Sequence, residues 1–233
     1  GRSARTFAAA ALAAAALAAP LPARGAADCA LALVLALDVS GSVDSREWTL
    51  QSGGLADAFR APELADAVLG LDGALRVTVT QWTGTSRQAV ALPWREIAAP
   101  ADLPALAAAV EAMPRRWRNY STAIGEALTH ALAHGETGAA GCRRKVIDVS
   151  GDGVSNEGPH PVHGRDLAEA AGWTVNGLAI EGARPPVAPH YRAAVITGSG
   201  AFVEVADGFD DYPRAILRKL LREIRPEAKI VAR

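Results

Sequence analysis

The sequence carries little net charge, two cysteines in 233 residues, and no long apolar run beyond its opening stretch. Each scarcity removes a class of function. The formal net charge is -1. Residues 1–27 contain Arg2, Arg5 and Arg24 and no acid, so the remainder holds 21 basic against 25 acidic residues. A mildly acidic body has no electrostatic footprint for nucleic acid and no polybasic patch for anionic lipid. No segment after residue 27 approaches the roughly 20 apolar residues of a membrane span. The recurrent catalytic loops are also missing. There is no GxSxG elbow, no GxxxxGK[ST] phosphate loop and no GxGxxG fingerprint. His130 and His134 are spaced for one helical face, but Ala131, Leu132 and Ala133 lie between them, so the HExxH zinc pattern is absent. With His160, His163 and His190 the histidine set is complete, and it gives no zinc expectation.

What is present suits one generous folded domain. Half the residues are apolar and 21% are charged, ample for a core. Residues 1–27 read as a secretory leader: Arg2 and Arg5 form a basic start, and Phe7 to Ala19 is a 13-residue apolar run. Pro20 and Pro22 follow, and Gly25-Ala26-Ala27 offers small residues for cleavage before Asp28. A membrane anchor is the rival reading, and the run is short for one. The expected division is leader 1–27, domain 28–225 and tail 226–233, in an exported protein, periplasmic or secreted. In such a compartment Cys29 and Cys142 can pair; two buried thiols are the alternative.

Strands and helices alternate from about residue 30. Ala30 to Leu37 is a continuous apolar run ending at Asp38, the pattern of a strand buried on both faces. Asp44 and Glu47 form a capping box for a helix to Phe59, with a second piece at Glu63 to Leu69. Leu75 to Trp82, Gln88 to Leu92, Lys145 to Ser150, Trp173 to Ile180 and Ala201 to Val205 read as further strands. Asp102 to Met113, Thr122 to His134, Asp166 to Ala171, Tyr191 to Ile196 and Tyr212 to Ile224 read as helices. Such a series predicts an α/β fold: a doubly wound, mostly parallel six-stranded sheet with helices on both faces.

Asp38-Val39-Ser40-Gly41-Ser42 falls where the first strand ends. Residues i, i+2 and i+4 of an extended chain face the same way, so one carboxylate and two hydroxyls share a space at the carboxyl end of the sheet, where ligands of open α/β sheets bind. Thr122, opening a helix, and Asp152, after a later strand, are suited to join them. Turn and N-cap duty explains each of these residues singly; all five together point to a cation site.

These residues resemble the metal-ion-dependent adhesion site (MIDAS) of von Willebrand factor type A (vWA) domains, including integrin I domains. The chain is similar, over roughly residues 29–224, to a group of secreted bacterial vWA-like proteins. The resemblance implies metal ligation by Asp38, Ser40, Ser42 and Thr122, with Asp152 often acting through water. It implies one divalent cation, Mg²⁺ first, with Mn²⁺ or Ca²⁺ as options, completed by a Glu or Asp carboxylate of a protein partner. It also implies a strand order of 3-2-1-4-5-6. The first and fourth strands are then neighbours, Cys29 lies 9 residues before Asp38 and Cys142 10 before Asp152, and a Cys29–Cys142 disulfide follows.

The expectation is a binding domain and not an enzyme. Its rivals are an assembly subunit whose cation only stabilises the fold, and a hydrolase using Ser40. Asn156 and Glu157 read as loop residues and Trp82 as core or rim packing. Trp94, Arg115, Arg116, Trp117 and Arg118 form a basic and aromatic stretch that reads as a solvated loop, with flanking of a partner's acidic group as the alternative.

Overall fold

Ten consecutive residues, Cys29–Asp38, are buried in one strand, β1. Neither face meets water, which is why the run is apolar throughout instead of alternating. The architecture is that of a computed structural model describing residues 28–182 and 185–225. The expected leader at 1–27 and tail at 226–233 lie outside the described residues. After β1 come α1 (Ser45–Arg60), α2 (Pro62–Leu69), β2 (Ala74–Trp82), β3 (Gln88–Ile97), α3 (Leu103–Glu111) and α4 (Ile124–Glu136). The second half comprises β4 (Cys142–Gly151), α5 (Pro161–Ala170), β5 (Thr174–Ile180), α6 (Val187–His190), β6 (Val203–Ala206) and α7 (Tyr212–Ile224).

The sheet order is β3-β2-β1-β4-β5-β6. All neighbours run parallel except β2 and β3. The pleat of β1 sends Leu31, Leu33, Leu35 and Leu37 into one core, with Leu55 and Phe59 of α1, Leu106 of α3 and Ile216 and Leu220 of α7. Ala32, Val34 and Ala36 go to the other, with Ile124 and Leu128 of α4, Ala168 of α5 and Val187 of α6. Each buried leucine contributes about 1.5–3 kcal/mol. On the second face a β-carbon on Gly164 of α5 would fall 2.6 Å from the Leu128 β-carbon, so glycine permits the close packing of α4 and α5.

β1 and β4 pair in register from Cys29↔Cys142 to Leu37↔Ser150. The two cysteines form the disulfide, with Cα atoms 4.3 Å apart and a sequence separation of 113. Closing so long a loop stabilises the fold by about 4–5 kcal/mol in the chain-entropy model. The same register puts the other ends of the strands, Asp38 and Gly151, side by side.

Several elements differ from expectation. β3 does not stop at Leu92 but runs on through Pro93 to Ile97. It is an edge strand, where the missing proline N–H costs no ladder bond, and its register shifts near Val79. β4 begins three residues early, at Cys142. α5 begins at Pro161 and not Asp166, because proline is well tolerated in the first turn of a helix. The helix expected from Tyr191 starts at Val187 and continues as a wider, π-type turn over Tyr191–Val195.

Candidate metal centre

β1 delivers Asp38, fully buried, to the carboxyl edge of the sheet. Its Oδ1 accepts the Ser40 N–H at 2.7 Å, which folds the chain back on itself. Ser40 and Ser42 hydroxyls lie 3.2 Å apart, and Ser42 donates to Asp152 Oδ1 at 2.8 Å. Residues 110 positions apart in the chain thus join in one network. Asp152 follows β4 directly, as Asp38 ends β1. Thr122 precedes α4 and is buried. Its hydroxyl abuts Gly153, since a β-carbon there would lie 3.4 Å from Thr122 Oγ1. All five residues expected at the site therefore sit around one edge of the sheet.

Two supports tie the loops together. Asn156 accepts the Thr122 N–H at 2.9 Å through its side chain and returns its own N–H to the Thr122 carbonyl at 2.9 Å. Glu157 accepts the Thr85 N–H at 2.8 Å. Both are loop-holding residues, as expected. Trp82 pairs with Asp38 across β1 and β2 and is buried, in keeping with core packing.

The electrostatics are those of an uncompensated anion. Asp38 Oδ2 is buried and has no hydrogen-bond partner. Burial first, and then repulsion from Asp152, push the Asp38 carboxyl up to about 7, against the lowering effect of the Ser40 bonds. Burial also raises Asp152, opposed by Ser42 and by the more distant Arg115. A β-carbon at Gly151 would lie 2.9 Å from Asp38 Oδ2 and 2.7 Å from the Tyr191 hydroxyl. The absent side chain is what lets both oxygens approach. That hydroxyl is itself buried without a partner, and burial together with Asp38, Asp152 and Asp148 drives its pKa well above the ordinary tyrosine value.

Arg115 favours the charged form of Asp152 but forms no ion pair with either carboxylate among the described residues. Its guanidinium donates to three main-chain carbonyls: Ser40 at 2.9 Å, Val39 at 3.2 Å and Asp44 at 3.2 Å. This overturns the solvated-loop reading for Arg115, which is partly buried and braces the loop. The stretch around it also divides. Arg116 turns to Gln81 and the Val90 carbonyl, while Arg118 stays exposed. Trp94 lies on β3, stacked on His134 at 5.9 Å. Sequence reasoning had no hold on Tyr191, whose role depends on a turn and a helix face set by tertiary packing.

The donor set fits a hard cation. It is all oxygen, it contains two carboxylates short of positive partners, and one carboxylate oxygen is orphaned. Among the described residues no three His, Cys, Asp or Glu side chains converge on a possible metal position. Hydroxyls would therefore supply most of the protein ligands. His134 is taken up by Thr78 at 2.9 Å and His190 by the Ser155 N–H at 3.2 Å.

Comparison with known proteins gives the same fold. No curated protein matches the chain. Proximal thread matrix protein 1 (PTMP1) from the mussel byssus, in a structure with a zinc-occupied MIDAS motif, aligns with a TM-score of 0.63 at 20% identity, covering 83% of this chain and 48% of that one. The pilus adhesin SpaC from Lactobacillus rhamnosus GG aligns at 0.60 and 14%, covering 84% and 30%. A von Willebrand factor type A protein from Catenulispora acidiphila aligns at 0.57 and 15%, covering 84% and 43%. The chain spans less than half the length of each, and at these identities the likeness is one of fold. The chain is a vWA-fold protein and, by a match over residues 28–228, belongs to the family described as "Protein of unknown function (DUF1194)".

Proposed function

We propose that this chain is an exported binding domain that holds one divalent cation through Asp38, Ser40, Ser42 and Thr122, with Asp152 acting directly or through water. The observation that carries the reading is the pairing of Asp38 and Asp152. Two buried carboxylates face one space, one oxygen has no partner, and neither forms an ion pair among the described residues. A dication supplies the missing charge, and Mg²⁺ is the first choice among hard cations. Two carboxylates and three neutral hydroxyls leave the shell short of six ligands. A Glu or Asp of a protein partner completes it, so the cation acts as a bridge and performs no chemistry. Structures of similar fold that include an adhesin and a byssus protein support a binding role. The disulfide supports an oxidising compartment.

The test is capture from native envelope extract with the cation-loaded protein. The partner is expected to bind in Mg²⁺, to release in EDTA, and to ignore Asp38→Ala. Replacing one acidic residue of the captured protein is expected to abolish binding. Capture that persists in EDTA and with Asp38→Ala rejects the bridge. If EDTA lowers the melting temperature while the partner stays bound, the cation is only a stabiliser.

A further inference from the structure

The rim of the site combines three cationic or aromatic groups that no neighbouring acid satisfies. Tyr120 is among the few large apolar side chains left exposed, at 43%. Its carbonyl accepts the Gly41 N–H at 2.8 Å, so the residue is fixed directly against the Asp38–Ser42 loop. The guanidinium of Arg87 lies over the Tyr120 ring, 3.7 Å from its centroid. Arg118 is exposed, with one nitrogen 3.5 Å from the hydroxyl of Ser45, three residues beyond Ser42. Neither arginine forms an ion pair among the described residues, whereas Arg46, Arg60, Arg165, Arg214 and Arg218 each do.

The acids nearby are already engaged with main-chain donors. Asp44 and Glu47 accept from each other's N–H groups in the capping box. Glu157 and Glu126 accept the N–H groups of Thr85 and Ser86. These carboxylates keep their charge, yet none forms an ion pair with Arg87 or Arg118 among the described residues, so both guanidinia are left for an outside anion.

We infer that Arg87, Tyr120 and Arg118 select an acidic protein segment carrying a second carboxylate beside the one that reaches the cation. This rests on the cation-bridge reading above. A single acid satisfies the metal; a second, placed beside it, meets a guanidinium that has no anion of its own. Tyr120 gives the segment a flat apolar surface and holds the Arg87 guanidinium in place.

The test uses end-capped Gly/Ser peptides with one Glu, or with two Glu separated by one to four residues, titrated into ¹⁵N-labelled protein in Mg²⁺ and in EDTA. One spacing is expected to bind about fivefold tighter than the single-Glu peptide, the size of a good exposed ion pair and beyond the doubling that a second copy gives by counting. That gain is expected to vanish in Arg87→Gln/Arg118→Gln, to survive in part in the lysine double variant, to persist in Arg192→Gln, and to shrink at high salt. If the single-Glu peptide binds only with Mg²⁺ and no spacing adds more than the counting factor, the second-carboxylate inference is wrong while the bridge stands. If no peptide shows Mg²⁺-dependent binding, the bridge itself fails and this inference falls with it.

Discussion

β4 carries one buried aspartate, Asp148, and is followed by another, Asp152, four residues on, and the protein treats them in opposite ways. Asp148 faces α7, where Lys219 is wholly buried, 2.8 Å from Asp148 Oδ2 and 2.5 Å from Glu223 Oε1. Asn176 donates to Glu223 at 2.9 Å and accepts the Phe202 N–H at 3.1 Å. This cluster brings its own cation. Asp152, two repeats of the pleat further on, shares its space with Asp38 and has no ion-pair partner among the described residues. The difference separates a polar core that is closed on itself from one that is open. Desolvation raises the carboxyls of both clusters, so burial alone does not distinguish them. The presence of an internal cation, Lys219, in one cluster and not the other does.

The sharpest way to break this comparison is to remove the internal cation. Lys219→Ala strands Asp148 and Glu223 and is expected to destabilise the fold by about 3–5 kcal/mol, the usual result of orphaning a buried charge. Asp38→Ala in EDTA is expected to cost far less or to stabilise, because it removes a buried carboxylate with no ion-pair partner among the described residues. Urea unfolding of both variants decides, and equal losses would erase the distinction.

Next in size, Mg²⁺ is expected to stabilise the wild type by about 2.7 kcal/mol at a hundred times its dissociation constant. It should do nothing for Asp38→Ala. Thermal melts across a Mg²⁺ series read this directly.

A smaller effect belongs to Arg115. Arg115→Gln loosens the Val39, Ser40 and Asp44 carbonyls and is expected to weaken cation binding about tenfold, as loss of a supporting contact outside the ligand shell does. Arg115→Lys is expected to recover part of it. Unchanged affinity in both would remove Arg115 from the site.

A separate effect is a pH slope in the closed cluster. Burial holds Glu223 at about 7, above its ordinary 4.5, with Lys219 opposing the rise and Asp148 adding to it. A raised folded-state pKa contributes stability below the unfolded value and loses it as pH climbs through the folded one. Wild-type stability relative to Glu223→Gln should therefore fall between about pH 4.5 and 7. A difference that is flat over that window would show that Lys219 keeps Glu223 ionised throughout.

How much of this was readable before folding follows the range of the interactions. β1 and its terminal DxSxS announce themselves, because a doubly buried strand must be apolar along its whole length and its carboxyl end must turn. The capping box of α1 and the bounds of α7 are equally local. Thr122 and Asp152 were suited to the site by their places at a helix start and after a strand, and the resemblance supplied the sheet order that brings them to Asp38. The Cys29–Cys142 pairing depends on the same order. Pro93 and Pro161 masked the lengths of β3 and α5, because proline's effect depends on whether its N–H was needed. Tyr191, the brace formed by Arg115, and the Lys219 cluster were not legible. Each is a polar side chain whose partner lies on another element, and no local pattern marks a lysine as buried.

The central claim is that the open cluster takes its positive charge from outside. Titrating Mg²⁺ by calorimetry into the wild type, Asp38→Ala and Asp148→Asn tests it most directly. The account predicts one site in the wild type, none in Asp38→Ala, and one in Asp148→Asn. A wild type that binds no divalent cation, or an Asp38→Ala variant that binds as well as the wild type, contradicts it.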